Sequence, residues 1–338
     1  MGAMNANPST RPPTSLDVAR LAGVSQATVS YVLTDRPGAR ISDETRARVR
    51  QAAEQLGYVP HAGARTLRTG RSGLVVISME DLPYGPLAVG VLEELDRELS
   101  QRGYTLVQYG ARRLRGVPAA RAWAELRPVA VLAGAGKLSR QAVDVLRSAG
   151  VRAVVAIGNR PSALVPSVVL DHVLLGEVAA GHLIDRGCRT LAAIVPTEIG
   201  LREMGEHRLA GVLQAAQARG VPVTRADLPF HEDGAAALLD LWRDVDGVFA
   251  YNDEYAMLLM AVLRDAGLAV PDDLRIVGCD DLPLAALLRP RLTTVRIDVS
   301  MMPSMLVRRL EELMEADGST EPGRIDPWTA TLVVRESS

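Results

Sequence analysis
Over the first sixty residues, apolar positions recur at helical spacing in three short stretches set apart by glycine or by polar capping residues. In TSLDVARLA (14–22), Val18, Leu21 and Ala22 share one face, Thr14 offers an N-cap with Asp17 three residues on, and Gly23 closes the segment. Ser25 then caps QATVSYVL, whose Val29, Val32 and Leu33 form one face and leave Gln26, Ala27, Thr28 and Tyr31 on others. A third helix follows Ser42 in DETRARVRQAAEQL, with Val49, Ala52, Ala53 and Leu56 inward and Gly57 at its end. The spacing of the first two helices fits a helix-turn-helix and fits an ordinary helical hairpin equally.

The pattern changes after YVPHAGARTLRTGRSG (58–73), where Pro60 and the glycines mark a boundary behind a short helical stretch. From Leu74, near-continuous apolar runs (GLVVISM, YTLVQYG, PVAVLAG, RAVVAIG, VPSVVLD, TLAAIVP, GVFAYN, LRIVGCD) alternate with amphipathic segments such as PLAVGVLEELDRELSQRG and EYAMLLMAVLRDAG. Strands of this kind, each followed by a helix, imply parallel sheets covered on both faces. The expected fold is therefore α/β, an all-α head followed by two doubly wound lobes. The expected division is a disordered tail (1–13), a head (14–59), a short helix and linker (60–72) and a core (73–338).

Composition narrows the class. With 338 residues, 48% hydrophobic and 23% charged, the chain can bury a large core. No apolar run is long enough to span a membrane, and the opening MGAMNANPSTRPPT has no apolar stretch of a signal peptide, so a cytoplasmic location and no membrane partner are expected. Cys188 and Cys279, far apart, read as small buried hydrophobes. The net charge of −2 is unevenly spread: residues 1–73 hold ten arginines against five acidic residues, for +5, and the remainder carries −7. Lys137 is the only lysine, so phosphate contacts near the N-terminus fall to arginine, hydroxyls and backbone N–H groups. No P-loop, serine elbow or zinc-ligand spacing occurs, and no cofactor or metal is expected.

The runs TSLDVARLAGVSQATVSYVL and ISDETRARVRQAAEQLGYVPHAGARTLRTG resemble the DNA-binding head and hinge of the lactose-repressor (LacI) family. VVLD, HLIDRGCRTLA, HRLAGV, YNDEYA, LRIVGCDDLPLA, RPRLTTVRID and LVVRES are similar to that family's effector-binding core. The resemblance implies a cytoplasmic, nucleoid-associated homodimer on a pseudo-palindromic double-stranded operator, with a periplasmic-binding-protein-like core. The lobes are expected at about 73–163 plus 295–325 and about 164–294 plus 326–338. Carried over by position, Gln26, Ala27 and Tyr31 face base edges, with Thr14, Ser25, Thr28 and Ser30 nearer phosphates; an amide can pair with adenine and an alanine can touch a thymine methyl. Tyr31 replaces an arginine common in the family. In the hinge HAGARTL, Leu67 falls where the family pries a base step apart in the minor groove, with Ala64 in that groove and Arg65 near the backbone. That hinge helix is expected to order on DNA.

For the effector cleft the resemblance implies Arg202, Arg208, Asn252 and Asp280, with Phe230 near a stacking aromatic and Tyr84 partly replacing an aromatic pair that YGPLAV lacks. Asn252 and Asp280 suit a polyol, and two arginines add a potential carboxylate or phosphate site. His172 stands where the family usually has Asn after VVLD. The implied activity is that of a DNA-binding transcriptional regulator, a repressor gated by a small-molecule effector, a sugar or sugar derivative. The rival readings are a vestigial pocket answering to a protein partner, a free sugar-binding protein, and an enzyme using Asp280 with Asp281 or the His231-Glu232-Asp233 run. Adjacent carboxylates at a strand end point apart and make a poor acid–base pair, and the His231 run reads as a solvated loop.

Overall fold
A computed structural model describes residues 11–33, 41–59, 72–79, 85–110, 114–316 and 322–338. It divides into two units, residues 1–73 and 74–338.

The first unit is helical. α1 (Ser15–Ala22) begins with a capping box: Thr14 N–H donates to Asp17 Oδ2 at 2.8 Å, and Asp17 N–H donates to Thr14 Oγ1 at 3.4 Å. It ends at Gly23, whose φ of 65° is the left-handed conformation that turns the chain toward α2 (Gln26–Leu33). α3 (Asp43–Gln55) starts at Ser42, whose hydroxyl accepts from Thr45 N–H. The small core is Val18, Ala19, Ala22, Val29, Val32, Val49, Ala52 and Ala53. Leu21, expected inside, is exposed, and Ala19 takes its place. The buried stripe of α1 is centred between Val18, Ala19 and Ala22, which leaves Leu21 about 100° around the helix.

The second unit holds two six-stranded sheets. The first runs β11-β5-β4-β3-β1-β2, from β1 (Leu74–Ser78), β2 (Thr105–Tyr109), β3 (Ala130–Gly134), β4 (Ala153–Gly158), β5 (Ser167–Val169) and β11 (Arg324–Ile325), all parallel. The second runs β12-β10-β9-β8-β6-β7, from β6 (Leu191–Pro196), β7 (Val223–Leu228), β8 (Gly247–Phe249), β9 (Arg275–Cys279), β10 (Thr293–Asp298) and β12 (Thr329–Val333), parallel except for the β10/β12 pair. Helices α4 (Pro86–Gln101), α5 (Gly116–Glu125) and α6 (Arg140–Ser148) belong to the first lobe. α7 (His172–Asp185), α8 (Ile199–Gln217), α9 (Glu232–Ala236), α10 (Leu239–Asp244) and α11 (Asp253–Asp265) belong to the second. α12 (Met302–Glu315) returns to the first lobe, where Leu306, Val307, Leu310 and Leu313 pack with Val75, Leu95 and Leu132.

Two lobe assignments from sequence need correction. Residues 167–169, expected in the second lobe, are β5 of the first sheet, and residues 295–298, expected in the first, are part of β10 in the second. The chain crosses only after each strand has paired, so the passages fall at 170–172, 299–301 and 326–328. The run at His231 is likewise not a loop: His231 is the exposed N-cap of α9, its Nδ1 accepting from Asp233 N–H at 3.2 Å.

Candidate functional site
On the head, Ser25 Oγ accepts from Thr28 N–H at 3.1 Å and lies 2.9 Å from Thr28 Oγ1, which fixes the first turn of α2. Gln26 Nε2 donates to Ser15 Oγ at 2.7 Å, tying the start of α2 back to α1. Gln26, Ala27 and Tyr31 are exposed, Thr28 and Ser30 half-buried, and Val29 and Val32 sit in the core behind them. One face of α2 is therefore exposed, and the opposite face is consumed in packing. Ala64, Arg65, Leu67 and Tyr84 lie outside the described residues.

In the core, a second group forms at the carboxyl ends of the second sheet's strands and at the start of α7. α7 and α8 cross at backbone contact. A Cβ on Gly176 would stand 1.9 Å from the Arg208 carbonyl oxygen, and one on Gly211 would stand 1.9 Å from that of Val173, so only glycine fits at both. This crossing sets Arg208 of α8 against His172 of α7. Arg208 Nε donates to His172 Nδ1 at 3.2 Å, and one terminal nitrogen donates to the Tyr251 carbonyl. The other lies 3.7 Å from Asp280 Oδ1. The Tyr251 ring packs 4.4 Å under the guanidinium.

Arg208, His172 and Tyr251 are buried and Asp280 is partly exposed, and burial shapes their charge. His172 is held neutral, well below the usual histidine range, by desolvation and by the Arg208 cation. Because Nδ1 accepts, the ring proton sits on Nε2. Burial raises the Asp280 carboxyl, which Arg208 opposes, and pushes the Tyr251 phenol up to about 12. Asp280, with φ of 103°, and Tyr251, with φ of 57°, occupy backbone conformations that non-glycine residues rarely adopt.

Beside this group stands an aromatic and acidic rim. Glu198 accepts from Phe230 N–H at 2.7 Å and from the Tyr255 hydroxyl at 2.5 Å. Phe230, half exposed, meets Tyr255 edge-on at 5.1 Å, and Tyr255 meets Tyr251 at 5.6 Å. Asn252 caps α11: its Oδ1 accepts from Tyr255 N–H at 3.0 Å, and its Nδ2 donates to Glu254 at 3.3 Å. Arg202 faces elsewhere, 3.8 Å from both Glu206 and Asp227, which Arg225 on the edge strand β7 also bridges. Asp281 turns away from Asp280 to Arg296 and Arg335, at 2.7 and 2.6 Å.

Residues 14–61 match the model of the bacterial regulatory proteins of the lacI family, and residues 180–338 match a periplasmic binding protein-like domain. Over 97% of its length the chain is 33% identical to the HTH-type transcriptional regulator CelR of Thermobifida fusca, covering 98% of that protein. It belongs to the lacI family of bacterial regulatory proteins. As a lacI-family protein it is a DNA-binding transcriptional regulator, and α1 and α2 are its helix-turn-helix. The HTH-type transcriptional regulator GalR of Escherichia coli K12 is 31% identical over 95% of this chain and 94% of that one. Among solved structures, the transcriptional regulator CelR–cellobiose complex shares 30% identity at a TM-score of 0.64, covering 96% of this chain and 100% of that one. The lac repressor dimer bound to operator and the anti-inducer ONPF shares the fold, with a TM-score of 0.76 at 22% identity, covering 97% of this chain and 99% of that one. Among the described residues no helix is long and apolar enough to cross a membrane.

Of the six cleft residues expected from sequence, Arg208 and Asp280 stand together, with Asn252 one residue from Tyr251. Phe230 joins them through Tyr255 and Tyr251, and Arg202 is not brought into the group. Sequence reasoning missed Tyr251, Glu198 and the partnership of His172 with Arg208. The departure at His172 was visible as a residue, but a bond across 36 positions has no local signal.

Proposed function
We propose that this regulator is a repressor that binds a pseudo-palindromic operator as a homodimer and is controlled by a neutral sugar in the cleft between its lobes. Gln26, Ala27 and Tyr31 read base edges, while Thr14, Ser25, Thr28 and Ser30 hold phosphates; Ala64, Arg65 and Leu67 serve the minor groove. The exposed face of α2 supports the first assignment. The lac repressor that shares this fold is a dimer on its operator, which supports the second copy.

The observation that carries the effector reading is the grouping of buried Arg208 and neutral His172 with the partly exposed Asp280. Arg208 offers donors, Asp280 accepts, and Asn252 with an exposed Phe230 stands beside them, a mixture suited to hydroxyls and an apolar sugar face. Tyr84 is assigned to the facing wall. An acid or phosphate is disfavoured: Arg202 is committed to Glu206 and Asp227, and Arg208 already faces Asp280, with Glu254 and Glu198 adding negative charge nearby. The relative solved with cellobiose makes that disaccharide a first candidate. The chain acts in the cytoplasm and turns over no substrate. Isothermal titration with neutral sugars, sugar acids and sugar phosphates tests the reading: a neutral sugar binds, and exclusive binding of an acid or phosphate overturns it.

A further inference from the structure
The chain first passes between lobes at Leu170, Asp171 and His172, between β5 and α7. Trp328, in the third passage, donates its indole N–H to the Val169 carbonyl at 2.7 Å. Arg324 of β11 lies 3.9 Å from Asp171, whose Oδ1 caps α7 by accepting from Leu174 N–H at 3.2 Å. The backbone N–H of His172 donates to the Leu170 carbonyl at 3.1 Å, so a displaced His172 takes the passage with it. His172 is 3% exposed, and the glycine crossing of α7 and α8 brings it to Arg208 Nε.

We propose that His172 is a positioning residue that ties Arg208, and with it the occupancy of the effector site, to the first passage between the lobes. The proposal rests on the effector reading above. A guanidinium is planar and rigid, so its three nitrogens move as one body. A ligand hydroxyl that draws the nitrogen facing Asp280 therefore reorients Nε against His172. The buried imidazole has one acceptor, Nδ1, and transmits that shift to the start of α7. Asn at this position retains an acceptor oxygen, whereas Leu fills similar space with none.

Hydrogen exchange on the full chain tests this without knowing the ligand. In His172→Leu, amides of residues 167–175 exchange at least about tenfold faster than in the wild type, while His172→Asn stays near it. Arg208→Lys, which keeps the charge and loses Nε, produces the same local loosening, and adding His172→Leu to it produces no more. Additive effects, or equal exchange in the Asn and Leu variants, overturn the proposal. A second arm adds cellobiose, maltose, glucose or galactose: a sugar that binds the wild type protects residues 167–175 there and in His172→Asn, and not in His172→Leu. Should none of these sugars bind the wild type, the neutral-sugar reading falls, and the ligand-free cycle alone decides the role of His172.

Discussion

Asp253 leaves no room for a side chain at Gly278: a Cβ there would stand 2.3 Å from Asp253 Oδ1 and 3.3 Å from its Cα. The carboxylate is fully buried, its Oδ1 accepting from the Thr294 hydroxyl at 2.6 Å and its Oδ2 from Leu282 N–H at 2.7 Å. These bonds fasten the loop that carries Asp280 and Asp281 to the first turn of α11. Gly278→Ala must push Asp253 off both donors, so it destabilises the core by about 2 kcal/mol or more. Urea unfolding followed by tryptophan fluorescence measures this, and an unchanged midpoint would show that the loop yields without cost.

Asp253 also makes stability depend on pH. Burial pushes its carboxyl up to about 7 from an ordinary 3.8. Between those values the folded chain holds a proton that the unfolded chain gives up. Its contribution to stability is therefore full at acid pH, declines as pH rises toward 7, and is level above that. Asp253→Asn, which can still accept from Leu282 N–H, lacks this dependence. The melting temperature of the variant relative to wild type rises from pH 5 to pH 8, and a constant difference would exclude the linkage.

The head has its own weak point at Thr14. Its hydroxyl accepts from Asp17 N–H and donates to the Asp17 carboxylate at 2.6 Å, and that carboxylate also accepts from Thr14 N–H; the two bonds it accepts hold the carboxyl below its usual range. Thr14→Ala should cost the head about 1 kcal/mol. Hydrogen exchange of residues 15–33 accelerates about fivefold, with that of residues 74–338 unchanged. Equal exchange in both proteins would show that the capping box is dispensable.

Asp280→Asn separates binding from folding. The burial that raises the Asp280 carboxyl opposes its charged form, while the Arg208 cation 3.7 Å away favours it, so a neutral amide that forgoes both changes core stability little. A sugar hydroxyl loses its charged acceptor, and affinity for the neutral effector falls by roughly tenfold to a hundredfold. Calorimetry and thermal melting on the same sample read both quantities, and a drop in melting temperature with unchanged sugar affinity would remove Asp280 from the site.

The sequence made some elements plain and hid others for physical reasons. Strands buried on both faces, such as VVIS, AVLAG and LAAIVP, announce themselves as apolar runs. β7 at Val223–Leu228 went unseen because it is the sheet edge and alternates Thr224, Arg225 and Asp227 with its few buried positions. The lobe borders slipped by a strand because local pattern does not say which sheet a strand joins. In the site, Arg208 and Asp280 were legible through the motifs around them. Arg202 shares the motif that carries Arg208, yet on α8 the two lie on different faces, one toward Glu206 and Asp227, the other toward His172.

The measurement to make is operator binding by fluorescence anisotropy, with DNA from beside the protein's own gene and with neutral sugars, sugar acids and sugar phosphates added in turn. The predicted result is tight, sequence-specific binding that one neutral sugar changes by about tenfold or more, with acids and phosphates inert. Specific binding that responds only to an acid or phosphate, or to none of these compounds, would contradict it.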